Sequence, residues 1–87
     1  MHLETLFQQA VAESRNLGKK PDNTNLLNLY ALYKQATEGD ISPDSPLPQM
    51  FDFVGKAKYD AWKKLSGKSP EQAKNEYISL IEKLKDN

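Results

Sequence analysis

The sequence predicts an all-α fold, a four-helix bundle with one long proline-rich loop between the second and third helices. Three observations carry that prediction. Apolar residues recur at three- and four-residue spacing in four separate segments. Each segment is bounded by glycine, proline or a capping side chain. No stretch alternates apolar and polar residues as a half-buried strand would, and no internal repeat or low-complexity tract appears. The 87 residues suit a single domain, expected to span 1–87.

In the first segment Leu3, Leu6, Phe7, Ala10, Val11, Ser14 and Leu17 step at three and four. This predicts an amphipathic helix over about residues 3 to 17. Gly18 follows and is expected to take left-handed C-cap geometry. Lys19, Lys20 and Pro21 then form a short exposed turn.

Asp22, Asn23 and Thr24 are all N-cap candidates for the second helix. Leu26, Leu29, Tyr33 and Ala36 mark one strip of it, and Leu27, Tyr30 and Lys34 mark the strip beside it. So wide an apolar arc predicts contact with more than one neighbour. The helix is expected to reach Thr37, with Gly39 as its stop.

Residues 38–51 form the longest connection. Pro43, Pro46 and Pro48 each lack a backbone donor and restrict the residue before them. The stretch is not Gly/Ser-rich, so a stiff, ordered loop is expected.

Asp52 is the expected cap of the third helix, and Phe53, Ala57, Ala61, Trp62 and Leu65 its buried stripe. Gly55 lowers helix propensity by up to about 1 kcal/mol against alanine; either a close backbone approach or the tolerance of a first turn explains it. Asp60 and Lys64 are spaced as a favourable i, i+4 pair, and Gly67 ends the helix.

Ser69, Pro70 and Gln72 are the sharpest local signal. They read as an N-cap, a first helical position and the partner that completes a capping box. Ala73, Tyr77, Leu80, Ile81 and Leu84 follow at helical spacing, with Leu80 in the middle of the stripe.

Composition excludes several function classes. Twelve basic and twelve acidic residues cancel, which argues against general attachment to nucleic acid or an anionic membrane, though not against a local basic patch. There is no cysteine, so disulfides and thiolate metal sites are unavailable. No apolar run approaches the roughly 20 residues of a membrane span, and no signal-peptide pattern opens the chain. The expected location is cytoplasmic. His2 is the only histidine and is read as a solvated terminal side chain. Neither Ser-His-Asp nor Cys-His catalysis can be assembled, and no phosphate-loop or dinucleotide motif occurs. No catalytic residue, metal site or cofactor is expected, and an enzyme is disfavoured.

What remains is a set of tyrosines and lysines. Tyr30 and Lys34 are i and i+4, and Tyr33 follows Tyr30 by three, so all three line adjacent strips of one helix. A tyrosine offers a flat face to a base and a hydroxyl to a phosphate. Stacking on a base is worth about 1–3 kcal/mol, and a charge-assisted hydrogen bond roughly 1.5–3 kcal/mol. A second cluster, Lys56, Lys58, Tyr59 and Trp62, adds cations and aromatics. Lys56 and Lys58 are two apart and cannot share one face, and Lys58 follows the packed Ala57 on its flank. The competing reading makes such aromatics core and such lysines solvated, and it is preferred for Phe7 and Trp62. Tyr59 is expected at a half-buried edge.

Two motifs then carry a resemblance. The run Tyr30-Ala31-Leu32-Tyr33-Lys34-Gln35-Ala36-Thr37-Glu38-Gly39-Asp40 is joined to Gly55-Lys56-Ala57-Lys58-Tyr59-Asp60-Ala61-Trp62. Together they resemble the acyl-CoA-binding protein family, and the resemblance extends over nearly the whole chain. It implies an up-down-down-up bundle forming a single acyl-CoA-binding domain. It also implies a soluble, monomeric carrier and buffer of long-chain acyl-CoA esters. Lys34, Lys58 and the Tyr30 hydroxyl would hold the ribose 3′-phosphate. Tyr33 and Tyr77, with a cation at Arg15, would surround the adenine, and the acyl chain would lie in an apolar groove. Partners beyond the ligand would be transient: enzymes that use acyl-CoA, or membranes, and no nucleic acid.

This sequence departs from the family pattern at three positions and in one loop. Val54 stands where many members have a ligand-contacting lysine. Arg15 replaces the more usual lysine and keeps the charge. Tyr59 replaces a common tryptophan. The 38–51 loop looks longer than is typical. The alternative reading is a helical protein-interaction module that has lost ligand affinity.

Overall fold

The computed structural model describes residues 2–85. Met1, Asp86 and Asn87 of the expected 1–87 domain lie outside the described residues. Four helices account for the regular structure: α1 (His2–Ser14), α2 (Asn23–Glu38), α3 (Phe53–Lys63) and α4 (Pro70–Lys85). The all-α bundle is as expected, and no strand occurs among the described residues.

The direction of each helix follows from its cross-links. Glu4 pairs with Lys74 at 2.6 Å and Glu13 with Lys85 at 3.3 Å, so α1 and α4 run parallel. Gln35, near the end of α2, donates to the Lys68 carbonyl just before α4, so those helices are antiparallel. The Lys58 ammonium lies over the Tyr30 ring, and the Trp62 indole donates to the Gly39 carbonyl. Hence α2 and α3 run together, and the order is up-down-down-up.

The core is Phe7 and Ala10 from α1, Leu29, Leu32 and Ala36 from α2, and Ala73, Tyr77 and Ile81 from α4. Alanine on each of three helices lets their backbones approach, while Phe7 and Ile81, both 0% exposed, fill the space between them. α3 contributes no buried residue. It rests on α2, with Ala57, Ala61 and Trp62 half-buried, and Leu65, just past its end, packs against the core.

Several local expectations are corrected. α1 ends at Ser14, not near Leu17. The Ser14 hydroxyl donates to the Val11 carbonyl at 2.6 Å. The next two amides bond three residues back, Arg15 to Ala12 and Asn16 to Glu13, which tightens and ends the helix. Gly18 does not take the left-handed geometry; positive φ occurs at Gly39 and Gly67. Phe53 is 73% exposed instead of buried, because it opens α3 and the preceding loop residues do not fold over it. Asp60 and Lys64 form no ion pair among the described residues; Lys64 is the C-cap of α3, its amide bonded to the Asp60 carbonyl. The capping box is half made. Ser69 Oγ accepts from the Gln72 amide, but the Gln72 side chain donates to Glu76. Leu80 is half-buried beside a cleft, and the fully buried residues of α4's stripe are Ala73 and Ile81.

Other expectations hold. Among the three candidates Asp22 caps α2, accepting from the Asn25 amide at 2.8 Å. Asp52 caps α3, accepting from the Gly55 amide at 2.9 Å. A Cβ on Gly55 would stand 2.2 Å from Asp52 Oδ2, so the glycine admits the capping carboxylate.

The long loop is anchored where it leaves α2. Asp40 Oδ1 accepts from the Gly67 amide at 2.8 Å and from Gln35 Nε2 at 2.7 Å. Gln35 is fully buried and ties α2, the loop and the start of α4 together.

Candidate functional site

α1, α2 and α4 enclose a shallow cleft of about 280 Å³, to whose lining α3 contributes no residue. Arg15, Tyr30, Tyr33 and Tyr77 line it, with Leu26 and Leu29 as its apolar floor. Four of the six expected site residues therefore meet in one place. Arg15 arrives there because α1 has already ended, so it sits in the turn at the cleft's edge and not on the helix.

The aromatic residues form a graded stack. Phe7 lies beneath, with ring centroids 6.0 Å from Tyr33 at 25° between planes and 5.3 Å from Tyr77 at 71°. Tyr33 is 41% exposed, whereas Tyr77 is 4% exposed. Tyr33 thus offers an open ring held in place from below, the arrangement a planar base needs. Tyr77 is chiefly a core residue that reaches the cleft with its rim.

The two lysines stand on the α3 side of Tyr30. Lys58 Nζ lies 5.3 Å from the Tyr30 centroid, bridging α3 to α2. Lys34, one turn beyond Tyr30, donates to Glu38 Oε2 at 2.6 Å and lies 5.3 Å from the Trp62 ring centroid. The Glu38 carboxylate holds the Lys34 ammonium above the usual lysine range, against the opposing pull of partial desolvation. Tyr30 is the hinge of the arrangement, lining the cleft and carrying Lys58 on its ring.

Sequence reasoning passed over Glu38 and the hydrogen-bonding role of Trp62. The i, i+4 spacing of Lys34 and Glu38 was a legible signal for the first. An indole N–H near the end of a packed helix needs an acceptor, and Gly39 supplies it at 2.9 Å.

A second, larger cleft of about 620 Å³ opens between α2, α3 and α4. Its walls are mostly apolar, with Leu27 and Ala31 from α2, Ala57 and Ala61 from α3, and Leu80 from α4. Leu27 precedes Tyr30 by one turn and Ala57 adjoins Lys58, so this cleft borders the cationic side of the first.

Residues 4–81 match the sequence model of the family described as Acyl CoA binding protein. The chain belongs to the acyl-CoA-binding protein family. It is 46% identical over 84 residues to an acyl-CoA-binding protein homolog of Manduca sexta, covering 97% of this chain and 92% of that one. Against an acyl-CoA-binding protein of Dictyostelium discoideum it is 44% identical over 80 residues, covering 92% and 93%. The crystal structure of Oryza sativa acyl-CoA-binding protein 2 superposes with a TM-score of 0.91 at 35% identity, over 99% of this chain and 91% of that one. The acyl-CoA-binding family thus accounts for both the fold and nearly the full length of the chain. Among the described residues no helix is long and apolar enough to cross a membrane, and no cluster of three or more histidine, cysteine or acidic side chains is placed to hold a metal ion.

Proposed function

We propose that this chain binds long-chain acyl-CoA esters at the α2-centred site and serves as their carrier and buffer in the cytoplasm, as a monomer without cofactor or catalysis. The observation that carries the reading is the position of Tyr30. Its ring lines the aromatic cleft and simultaneously supports the Lys58 ammonium. One residue therefore joins a base-binding surface to a phosphate-binding one, which a nucleotide bearing a 3′-phosphate requires.

In this reading the adenine lies on the open face of Tyr33, with Tyr77 and the Arg15 guanidinium at its edges. The 3′-phosphate takes charge-assisted hydrogen bonds from Lys58, Lys34 and the Tyr30 hydroxyl. The acyl chain enters the larger cleft past Leu27 and Ala57. Burial there rewards chain length by up to about 0.8 kcal/mol per methylene. The head group supplies specificity, and the tail supplies affinity.

Isothermal calorimetry with palmitoyl-CoA, palmitate and CoA tests the reading. A single saturable site is expected, with palmitoyl-CoA bound far more tightly than palmitate. Equal affinity for the two overturns the assignment. Native mass spectrometry of the purified protein would identify co-purifying acyl-CoA and its chain lengths.

A further inference from the structure

Two lysines and two rings form a crossed pair between α2 and α3. Tyr30 and Lys34 are one turn apart on α2, and Lys58 and Trp62 are one turn apart on α3. Lys58 reaches from α3 over the Tyr30 ring on α2, and Lys34 reaches from α2 over the Trp62 ring on α3. Both ammoniums lie 5.3 Å from their ring centroids. Each helix thus supplies the platform for the other's cation. Because α2 and α3 run in the same direction, the two platforms stand one helical turn apart, about 5.4 Å along the axis.

Trp62 is otherwise unaccounted for. It is half-buried, and it belongs neither to the buried core nor to the walls of either cleft. Its ring is nevertheless fixed. Nε1 donates to the Gly39 carbonyl at 2.9 Å, and the Gly39 amide bonds the Gln35 carbonyl at the end of α2. The indole is therefore tied to the same end of the helix that carries Lys34. Among aromatic side chains an indole face holds a cation best.

The ring and the Glu38 carboxylate act on Lys34 differently. Glu38 neutralises the ammonium and competes with an incoming phosphate. The ring attracts it through a quadrupole and carries no net charge. Lys34 can therefore leave Glu38 for a phosphate while remaining over Trp62. Without that platform, a flexible four-carbon stem must be ordered at the moment of binding. We infer that Trp62 is a positioning residue for the nucleotide phosphate, holding the Lys34 ammonium one turn from the Lys58 ammonium that Tyr30 holds. The inference deepens the acyl-CoA reading and rests on its assignment of the 3′-phosphate to Lys34 and Lys58.

The test is calorimetry on the full chain with palmitoyl-CoA and palmitoyl-3′-dephospho-CoA, for the parent, Trp62→Leu and Trp62→Phe. The ratio of the two affinities is read, because partial unfolding lowers both alike and leaves the ratio unchanged. Trp62→Leu should reduce the parent's preference for the phosphorylated ligand by about fivefold and leave affinity for the dephospho ligand within about twofold. Trp62→Phe keeps a ring face but loses the N–H, so it should restore most of the preference. In a Lys34→Ala background, Trp62→Leu should cost no further preference. A parent that prefers palmitoyl-CoA, with an unchanged ratio in Trp62→Leu, overturns the inference and leaves the phosphate assignment standing. So does a Trp62→Phe protein that behaves as Trp62→Leu, since the ring face is then not the cause. A parent without the preference overturns the phosphate assignment, and the inference with it.

Discussion

The Lys34 ammonium donates to the Glu38 carboxylate at 2.6 Å across one turn of α2. A phosphate at this site competes with Glu38 for the same cation. The pair is partly solvated, with side chains 28% and 53% exposed, so releasing Lys34 costs about 0–1 kcal/mol. Glu38→Gln is therefore expected to tighten acyl-CoA binding, by up to about fivefold. Lys34→Ala is expected to weaken it by roughly 1.5–3 kcal/mol. Calorimetry on both variants checks the pair. If Glu38→Gln binds as poorly as Lys34→Ala, Lys34 does not address the phosphate.

Removing the phosphate from the ligand probes the same contacts from the other side. In the proposed assignment, palmitoyl-3′-dephospho-CoA would leave Lys58, Lys34 and the Tyr30 hydroxyl without their anion. A loss of at least about tenfold, or 1.4 kcal/mol, is expected relative to palmitoyl-CoA. A smaller loss in competitive titration means that these residues serve another part of the ligand.

Tyr33 and Ile81 separate binding from folding. Tyr33 is 41% exposed and Ile81 is 0% exposed. Tyr33→Ala should cost about 1–3 kcal/mol of binding through lost base stacking, and less in stability. Ile81→Ala should cost roughly 2–5 kcal/mol of stability through transfer and cavity terms. Its folded fraction should then bind almost normally. Paired urea melts and titrations decide the matter. A Tyr33→Ala protein that unfolds as readily as Ile81→Ala, yet binds normally when folded, makes Tyr33 a core residue.

Asp40 links loop anchoring to pH. The Gly67 amide, then the Gln35 side chain, hold its carboxyl below the ordinary value of 3.8. A lowered folded value means the contribution is present above the ordinary value and lost as pH falls through the folded one. The parent should lose urea resistance as pH falls below about 5 and on past the ordinary value of 3.8, and Asp40→Asn should lose less over the same interval. Parallel losses in the two proteins show that Asp40 does not contribute to acid sensitivity.

Helical periodicity, caps and breakers made the four helices legible in the sequence, because those signals act within a few residues of the chain. Asp22, Asp52, Ser69 and Gly39 do their work over three or four positions. The resemblance of the Tyr30–Asp40 and Gly55–Trp62 runs to acyl-CoA-binding proteins pointed to the family before any contact was seen. That resemblance also brought Arg15, Tyr30, Tyr33 and Tyr77 forward as candidates, and the fold places them around one cleft.

Only the tertiary structure decided how those candidates differ. Tyr33 and Tyr77 belong to the same pattern of aromatics at helical spacing, yet one ring is open and the other is buried. That depends on how α4 lies against Phe7, a relation between distant segments. Phe53 follows the apolar period of α3, but burial needs a neighbour, and α3 has only one helix to lean on. Gln35 and Asp40 look like ordinary polar residues in the chain. Folding brings Gly67 and the Lys68 carbonyl to them across about thirty residues, because a buried amide must find partners wherever the packing places them. Periodicity determines which face of a helix is apolar; the arrangement of the other helices determines how much of that face leaves water.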